Sequence, residues 1–181
     1  LLGIFIYEYK RLAVPVMVVV NFLYTIPSIS MLGLLLYVSG VGNTTAIIAL
    51  VIYALLPMVR NTFTGLNQID QSMCEAGIAL GLTRIQRLWN IEIPLAMPTI
   101  MAGIRTMLVM TIALTGIASF IGAGGLGVAI YRGITTNQSA LTIAGSLLIA
   151  LLAITVDALF SLGERVTRIS PHMKRYTIIF V

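Results

Sequence analysis

Apolar residues dominate the chain in long runs, and short polar segments separate these runs. A helix that crosses a bilayer takes about 20 mostly apolar residues, and four runs reach that length, at about 12–38, 44–63, 95–121 and 140–162. Of the polar connections, the segment at about 64–94 is long and the others are short. The pattern predicts an all-helical, polytopic membrane protein whose main polar feature is the 64–94 loop.

Both ends of the chain resemble parts of further helices. Residues 1–7 are apolar but have no initiator Met, no charged n-region and no small-residue cleavage site, so they are not typical of a signal peptide. They indicate the end of an incomplete span. Residues 176–181 become apolar again after a basic stretch. We therefore expect a transmembrane domain over residues 1–175 and the start of a possible further span over 176–181.

Composition excludes a soluble enzyme. Of the 181 residues, 59% are hydrophobic and 9% are charged, whereas soluble domains contain about 25% charged residues. One cysteine, Cys74, and one histidine, His172, cannot form a Cys/His metal site, and no Ser/His, Cys/His or paired-carboxylate arrangement has local support. The net charge is +5, but the basic residues form no stripe with aromatic residues. Neither catalysis nor nucleic-acid binding is expected.

The distribution of lysine and arginine predicts the orientation. Basic residues near span ends are retained on the cytoplasmic side of a membrane. If loop 64–94 is cytoplasmic, its side holds nine basic residues and the opposite side holds only Arg132. The nine are Lys10, Arg11, Arg60, Arg84, Arg87, Arg165, Arg168, Lys174 and Arg175. We therefore expect loop 64–94 to be cytoplasmic and the glycine-rich loop 122–138 to be external.

The 64–94 loop carries the signals of two short helices. Asp70 can cap a first helix, and Thr83 with Gln86 has the spacing of a capping box that opens a second. Gly81 lies between them, where a chain leaving a helix often needs a positive φ. The alternative is a solvated hairpin between two spans. Five residues are too apolar for that alternative and indicate a protein partner: Met73, Ala76, Gly77, Leu80 and Leu82. Arg87 and Trp89 are expected at the membrane interface or against that partner.

One motif in this loop is recognisable. Glu75-Ala76-Gly77, then Gly81, then Ile91-Glu92-Ile93-Pro94 resembles the EAA motif of binding-protein-dependent ABC importer permeases, which reads E-A-A, G and I-x-L-P at this spacing. Gly77 replaces an alanine of that pattern, and Ile93 replaces a leucine. The resemblance covers about residues 1–168. Segments 25–28, 47–66, 94–106 and 120–127 look like the branch for osmoprotectants such as glycine betaine, choline and carnitine.

The resemblance implies a type I importer permease with a MetI-like helical bundle in a bacterial or archaeal cytoplasmic (inner) membrane. Such a subunit passes a small osmoprotectant-like quaternary ammonium solute inward. The implied partners are a cytoplasmic ABC ATPase dimer that holds ATP and Mg, a second permease copy (identical or a close paralogue), and an extracytoplasmic substrate-binding protein or a fused binding domain. The motif residues implied to couple to the ATPase are Glu75, Ala76, Gly77, Gly81, Leu82, Ile91 and Pro94.

The chain itself is not expected to bind nucleotide or another cofactor. It has no G-x-x-x-x-G-K-[ST] sequence to cradle phosphates, and its lysines are at positions 10 and 174. The string 122–127 reads G-x-G-x-x-G, but a membrane span rather than a strand precedes it. We therefore interpret it as a tight non-helical turn.

Prolines and neighbouring polar residues in the first long run suggest a transport path. Pro15, Pro27 and Pro57 each remove a backbone hydrogen bond inside a span. Kinks there would turn polar groups and freed carbonyls toward the bundle interior. The residues predicted to line the path are Asn21, Tyr24, Thr25, Pro27 and Ser28. The alternative is that Ser and Thr only hydrogen-bond between helices.

Two charged residues lie within predicted spans. Arg105 follows Pro98 by seven residues and Asp157 precedes Glu164 by seven, so each lies about 10 Å inside the cytoplasmic border at a rise of about 1.5 Å per residue. An unpaired charge near mid-bilayer costs about 2.5–3.5 kcal/mol on insertion scales. The sequence predicts an ion pair between them, with Arg105 reaching to the headgroups as the alternative.

Two other functions stay open from sequence. A secondary transporter or channel would need no ATPase but commonly has inverted repeats, and a purely structural membrane subunit would have no path. If the chain is a permease, ergothioneine and bile salts are alternative substrates.

Overall fold

The computed structural model describes residues 1–169, with side chains up to residue 162, and this part consists of helices and turns. The α-helices are α1 (Leu2–Glu8), α2 (Lys10–Thr25), α3 (Ser28–Ser39), α4 (Asn43–Asn67), α5 (Gln71–Ala79), α6 (Arg84–Arg87), α7 (Ile93–Ala118), α8 (Gly127–Thr135) and α9 (Ser139–Ile169). A π-helical segment, Leu88–Glu92, joins α6 to α7, and a 3₁₀ turn, Ser119–Ile121, follows α7. The all-helical prediction is confirmed. The expected further span over 176–181, the domain boundary at residue 175 and His172 lie outside the described residues.

Within the described residues, three helical stretches are long and apolar enough to cross a membrane: Asn43–Asn67, Arg84–Ile121 and Ser139–Leu162. The middle stretch is longer than the predicted span 95–121, because the second helix of the 64–94 loop continues through the π-helical segment into α7. Pro94 therefore lies in the first turn of α7 rather than at a gap between two helices. The loop is thus built into one end of a membrane-crossing helix.

The apolar run over residues 12–38 is interrupted at Pro27, as expected, but so sharply that it counts as a fourth span only if the bent pair of helices is taken as one. Helices α2 and α3 meet at a bend of 97°. Pro27 has no N–H to donate and disfavours helical backbone at the residue before it, and Ile26 is extended (φ −67°, ψ 126°). The Tyr53 hydroxyl donates to the freed Ile26 carbonyl. The first run is therefore a broken pair of helices, whereas Pro15 and Pro57 stay inside α2 and α4.

The glycine-rich segment 122–138, predicted as a loop, contains helix α8. Gly122 and Gly125 have φ of +78° and +102°, so the turn predicted from the glycines occupies 122–126 only. Gly127 begins α8, and a Cβ placed on it would lie 2.7 Å from the Gly116 carbonyl oxygen. This close approach lays α8 against the end of α7, and packing of α8 on α9 then stabilises a helix that composition alone conceals.

Helices α4 and α7 form the central pair of the bundle. Small residues bring the two together: a Cβ on Gly103 would lie 2.6 Å from the Asn61 Cβ, and one on Gly65 would lie 2.9 Å from the Thr99 Cβ. Close backbone approach of this kind favours van der Waals packing between membrane helices. Both helices lead directly into the 64–94 loop, so the loop is attached to the most closely packed part of the fold.

Candidate functional site

The 64–94 loop has the predicted helix, bend and helix. At the start of α5 the Asp70 carboxylate accepts a hydrogen bond from the Ser72 N–H at 3.0 Å, and this hydrogen bonding lowers the pKa of Asp70. Gly81 has φ of +75°. Thr83 and Gln86 form a reciprocal capping box, in which the Thr83 N–H donates to Gln86 Oε1 at 2.9 Å. These local signals set the shape of the loop.

The inner side of the loop is closely packed. Gly77 is buried, and a Cβ placed on it would lie 2.9 Å from Ile91 Cδ1 and 3.3 Å from Arg87 Cγ. The fold thus brings together two motif residues, Gly77 and Ile91, that are fourteen positions apart in the sequence. Ala76, Leu82 and Pro94 are half-buried. Because Gly77, the third residue of the motif, has no side chain, α5 can lie directly against the π-helical segment.

A buried ion pair fixes this inner side. Arg87 Nε donates to Glu92 Oε1 at 2.7 Å, and the side chains are only 11% and 2% exposed. The expectation that Arg87 faces the membrane interface or a partner is therefore wrong: its charge is used within the chain. The pair joins α6 to the end of the π-helical segment, where α7 begins. Sequence reasoning missed Glu92 because nothing local distinguishes it from a solvated residue.

Two further contacts extend this arrangement to α5 and α1. Cys74 Sγ lies 3.8 Å from Glu92 Oε1, and burial together with the negative charge of Glu92 raises the pKa of the Cys74 thiol. Arg84 Nε lies 2.8 Å from Glu8 Oε2 in a more exposed pair. The partners are 76 positions apart, so no sequence spacing could indicate them. The loop is consequently attached to α1 as well as α7.

Four large apolar side chains are exposed on the loop among polar ones. Ile78, Leu80, Ile85 and Trp89 are 58–70% exposed, and we call these four residues the apolar tip. Of the residues expected to need a partner, Leu80 is exposed, whereas Met73, Ala76 and Leu82 are half-buried and Gly77 is buried. Glu75 is exposed and accepts a hydrogen bond from Gln71 Nε2 at 2.9 Å. The prediction of a partner surface on this loop therefore rested mostly on residues that are buried or half-buried, and only Leu80 belongs to the exposed apolar tip.

The break between α2 and α3 opens into a groove of about 350 Å³. Four of the five predicted path residues line it, and Asn21 does not: the lining includes Tyr24, Thr25, Pro27 and Ser28, together with Tyr53 and Met110. Asn21 is exposed one turn earlier, and its carbonyl accepts a hydrogen bond from Thr25 Oγ1 at 2.8 Å. The structure thus gathers most of the predicted residues at one place.

Two tyrosines give this groove an aromatic wall. The rings of Tyr24 and Tyr53 meet edge to face with centroids 5.8 Å apart, and the Tyr24 hydroxyl lies 3.7 Å from Met110 Sδ. Tyr53 was not among the predicted residues, because on α4 its spacing is that of a core residue.

A second groove, of about 560 Å³, lies between α7 and α9 and contains Arg105 and Asp157. The structure places these residues in a bidentate pair, with Arg105 Nε and Nη2 each 2.9 Å from an Asp157 carboxylate oxygen. Among the described residues, no group of three or more His, Cys, Asp or Glu side chains is placed to hold a metal ion.

Comparison with known proteins supports the family that the motif in the 64–94 loop indicates. A family model described as "Binding-protein-dependent transport system inner membrane component" matches residues 1–168. The chain belongs to this family. It is therefore the permease component of a binding-protein-dependent ABC importer, a multi-pass inner-membrane protein, and not a secondary transporter or a channel.

Individual relatives agree. The permease is 45% identical over 175 residues to the glycine betaine/carnitine/choline transport system permease protein OpuCD of Bacillus subtilis, covering 96% of this chain and 76% of that protein. It is 41% identical over 164 residues to the ergothioneine transport permease/ergothioneine binding protein EgtU of Helicobacter pylori, covering 91% of this chain but 30% of that protein.

A solved structure, an inward-facing conformation of the MetNI methionine ABC transporter, matches with a TM-score of 0.79 at 22% identity, covering 92% of this chain and 83% of that one. The predicted MetI-like fold is confirmed.

Proposed function

We propose that this permease imports a small quaternary ammonium osmoprotectant, with two permease copies flanking one path and an ABC ATPase dimer supplying the energy. Relatives named for glycine betaine, carnitine and choline transport support this substrate class. The ATP and Mg belong to the ATPase, and the permease itself holds no cofactor. An external binding protein delivers the solute, or a fused binding domain does so, as the combined name of the Helicobacter pylori protein suggests for that protein.

The exposure of the apolar tip is the main observation that supports a role for the loop in coupling to the ATPase. Four large apolar side chains, each more than half exposed on a short polar loop, favour a protein partner. The opposite side of the same loop is fixed to α7 by the buried Arg87–Glu92 pair and to α1 by the Arg84–Glu8 pair. A push on the tip would therefore be transmitted mainly to α7, while the more exposed Arg84–Glu8 pair restrains α1 only weakly. We infer that the ATPase seats on the tip and that Glu75 offers it one charge.

Basic residues support a cytoplasmic position for the 64–94 loop. Arg84 lies in the loop and pairs with Glu8, next to Lys10 and Arg11. Arg60 lies two turns before the end of α4. In contrast, Arg132 lies on α8 between the 122–126 turn and α9. By the retention of basic residues on the cytoplasmic side, loop 64–94 faces the ATPase and residues 122–138 face the binding protein.

The groove at the α2–α3 break is our candidate for the outer part of the path. A quaternary ammonium group cannot donate a conventional hydrogen bond, but it is attracted to the face of an aromatic ring. Tyr24 and Tyr53 provide two rings there, beside the break at Pro27. Irregular backbone at membrane depth is tolerated where it lines a cavity or packs on protein, and this groove provides that setting.

Co-purification and uptake test the proposal. The importer is assembled with its ATPase and binding protein, and ATP-dependent uptake of glycine betaine, choline and carnitine is measured in proteoliposomes. Trp89→Ala should reduce co-purification of the ATPase, while the matched variant Asn90→Ala, at an exposed polar neighbour, should not. Equal co-purification of both variants with wild type would contradict docking on the tip, and absence of uptake of all three solutes would contradict the substrate class.

A further inference from the structure

Exposed polar side chains follow the aromatic groove on three of the helices that line it. Tyr24 of α2, Tyr53 of α4 and Met110 of α7 belong to the groove lining. Residues three, four or seven positions apart lie on one face of a helix. At these spacings, on the cytoplasmic side of the groove, each of the three helices carries an exposed polar residue: Asn21, Arg60 and Thr106. A line of polar side chains therefore leads from the groove toward the cytoplasmic end of the bundle.

Arg60 places a full charge within a membrane-crossing helix. It lies seven residues before the end of the apolar stretch Asn43–Asn67, which is about 10.5 Å along the helix. Gly103 of α7 lies against Asn61 of α4, so Arg60 and Arg105 differ in depth by only about 1.5 Å. Charged side chains at such depth face the bundle interior or a water-filled cavity, and they often mark a solute pathway.

The charge of Arg60 is not compensated within the described part of the chain. Arg105, at nearly the same depth, pairs with Asp157, but none of the three ion pairs of the described residues includes Arg60. The Cα–Cβ bonds of an α-helix tilt toward its N-terminus. The Arg60 side chain therefore leaves the backbone in the direction of Tyr53 and away from the cytoplasmic headgroups. An anionic group that neutralises it is expected on the same side as the aromatic groove.

We propose that Arg60 is a specificity-determining residue that binds the carboxylate of a zwitterionic solute in the inner part of the path. This inference rests on the proposed function and adds recognition of a carboxylate to recognition of a quaternary ammonium group. The planar guanidinium matches a carboxylate with two parallel hydrogen bonds. Tyr53 and Arg60 lie about two helical turns apart on one face of α4, so a solute that leaves the aromatic rings next meets Arg60.

The charge of Arg60 distinguishes solutes that have the same cationic group. Glycine betaine and carnitine carry a carboxylate, which neutralises Arg60 while the solute passes. Choline carries a hydroxyl group instead, so its cation approaches the guanidinium without an anionic group between them. Repulsion between like charges is stronger inside the protein than in bulk water. The permease therefore favours glycine betaine over choline, in addition to any selection by the binding protein.

Separate uptake measurements of glycine betaine and choline in the complete importer test this preference. Both solutes use the same protein, so the betaine-to-choline uptake ratio does not depend on expression or folding. Arg60→Gln should lower this ratio about tenfold, equivalent to about 1.4 kcal/mol, and Arg60→Lys, which keeps the charge, should lower it less. The matched control Arg11→Gln removes another exposed arginine, near the start of α2, and should leave the ratio unchanged.

Thiol chemistry at position 60 tests the charge itself. In a Cys74→Ser background, Arg60→Cys should lower the uptake ratio. Modification with aminoethyl methanethiosulfonate adds a positive charge and should raise the ratio again, whereas methyl methanethiosulfonate adds no charge and should not. Glycine betaine should slow the modification at position 60. It should not slow modification of Val51→Cys, because Val51 is exposed on the opposite face of α4, nine residues away.

The outcomes separate this inference from the proposed function. An unchanged ratio in Arg60→Gln, or an equal loss of uptake of both solutes that restored charge does not reverse, would overturn the role of Arg60 while the proposed function stands. Absence of protection by betaine at position 60 would mean that lipid or the second permease copy covers Arg60, which also overturns the inference. Wild-type uptake of neither solute would overturn the proposed function together with the inference.

Discussion

The buried Arg87–Glu92 pair should be the main mechanical attachment between the 64–94 loop and α7. Glu92→Gln keeps the shape of the side chain but removes its charge, so Arg87 is left buried without a counter-ion. Both side chains are nearly excluded from solvent, at 11% and 2% exposure. Their environment therefore gives little screening by water, and the loss of one partner has a large effect.

Removing one partner of a buried ion pair costs about 3–5 kcal/mol. Glutamine still offers an oxygen to Arg87 Nε, so we expect Glu92→Gln to lower the free energy of unfolding by about 3 kcal/mol. The Arg84–Glu8 pair provides the matched control, because its side chains are 52% and 26% exposed. Exposed pairs contribute about 0–1 kcal/mol, so Glu8→Gln should be nearly neutral.

The assay is thermal unfolding of the purified importer, together with ATP hydrolysis stimulated by solute-loaded binding protein. Glu92→Gln should lower the unfolding temperature and reduce stimulated hydrolysis, and Glu8→Gln should change both much less. The apolar replacement Arg87→Met/Glu92→Leu removes both charges and should recover stability, since such replacements are often neutral or stabilising. If Glu92→Gln is no more damaging than Glu8→Gln, the pair is not the attachment that we infer.

Three further predictions concern single positions. Gly81→Val should reduce coupled ATP hydrolysis and Gly81→Asn should reduce it less, because φ of +75° costs an ordinary residue about 1–2 kcal/mol while asparagine tolerates it. Gly133→Ala should destabilise the permease by about 1–3 kcal/mol in thermal unfolding, since its Cβ would lie 2.5 Å from the Thr142 backbone nitrogen; Gly124→Ala, with open space around it, should not. Maleimide should label Cys74 slowly at neutral pH and faster as pH rises, because a raised pKa leaves less thiolate at a given pH; a rate equal to that of an exposed cysteine would contradict this.

Local signals made the 64–94 loop predictable. The hydrogen bonds of Asp70, Thr83 and Gln86 join residues two or three positions apart, so their spacing in the sequence already contains the geometry. The same holds for the three uninterrupted apolar stretches, whose length sets a membrane-crossing helix. The ion pair of Arg105 with Asp157 could be predicted for another reason. An isolated charge inside a membrane span is energetically costly, so very few residues can be the partner of Arg105.

Features that depend on the packing of distant segments could not be predicted. Helix α8 is short and rich in small residues, and its formation depends on contacts with α7 and α9 that no local pattern reveals. The direction of the chain at Pro27 is fixed in part by a hydrogen bond that the Tyr53 hydroxyl donates to the carbonyl of Ile26, 27 positions away. Likewise, the exposure of Ile85 and Trp89, and the burial of Arg87 between them in the sequence, depend on how α6 rests against α5.

The three ion pairs of the described residues differ in their exposure to solvent, and this difference indicates different structural roles. The Arg84–Glu8 pair is exposed enough for water to replace either partner, so it can restrain α1 but contributes little stability. Water is nearly excluded from the Arg87–Glu92 pair, so opening it is costly and it suits a permanent attachment. The Arg105 and Asp157 side chains are 31% and 38% exposed, so in exposure this pair is closer to Arg84–Glu8 than to Arg87–Glu92. Its two parallel hydrogen bonds nevertheless join α7 to α9, so it suits a connection between two membrane helices.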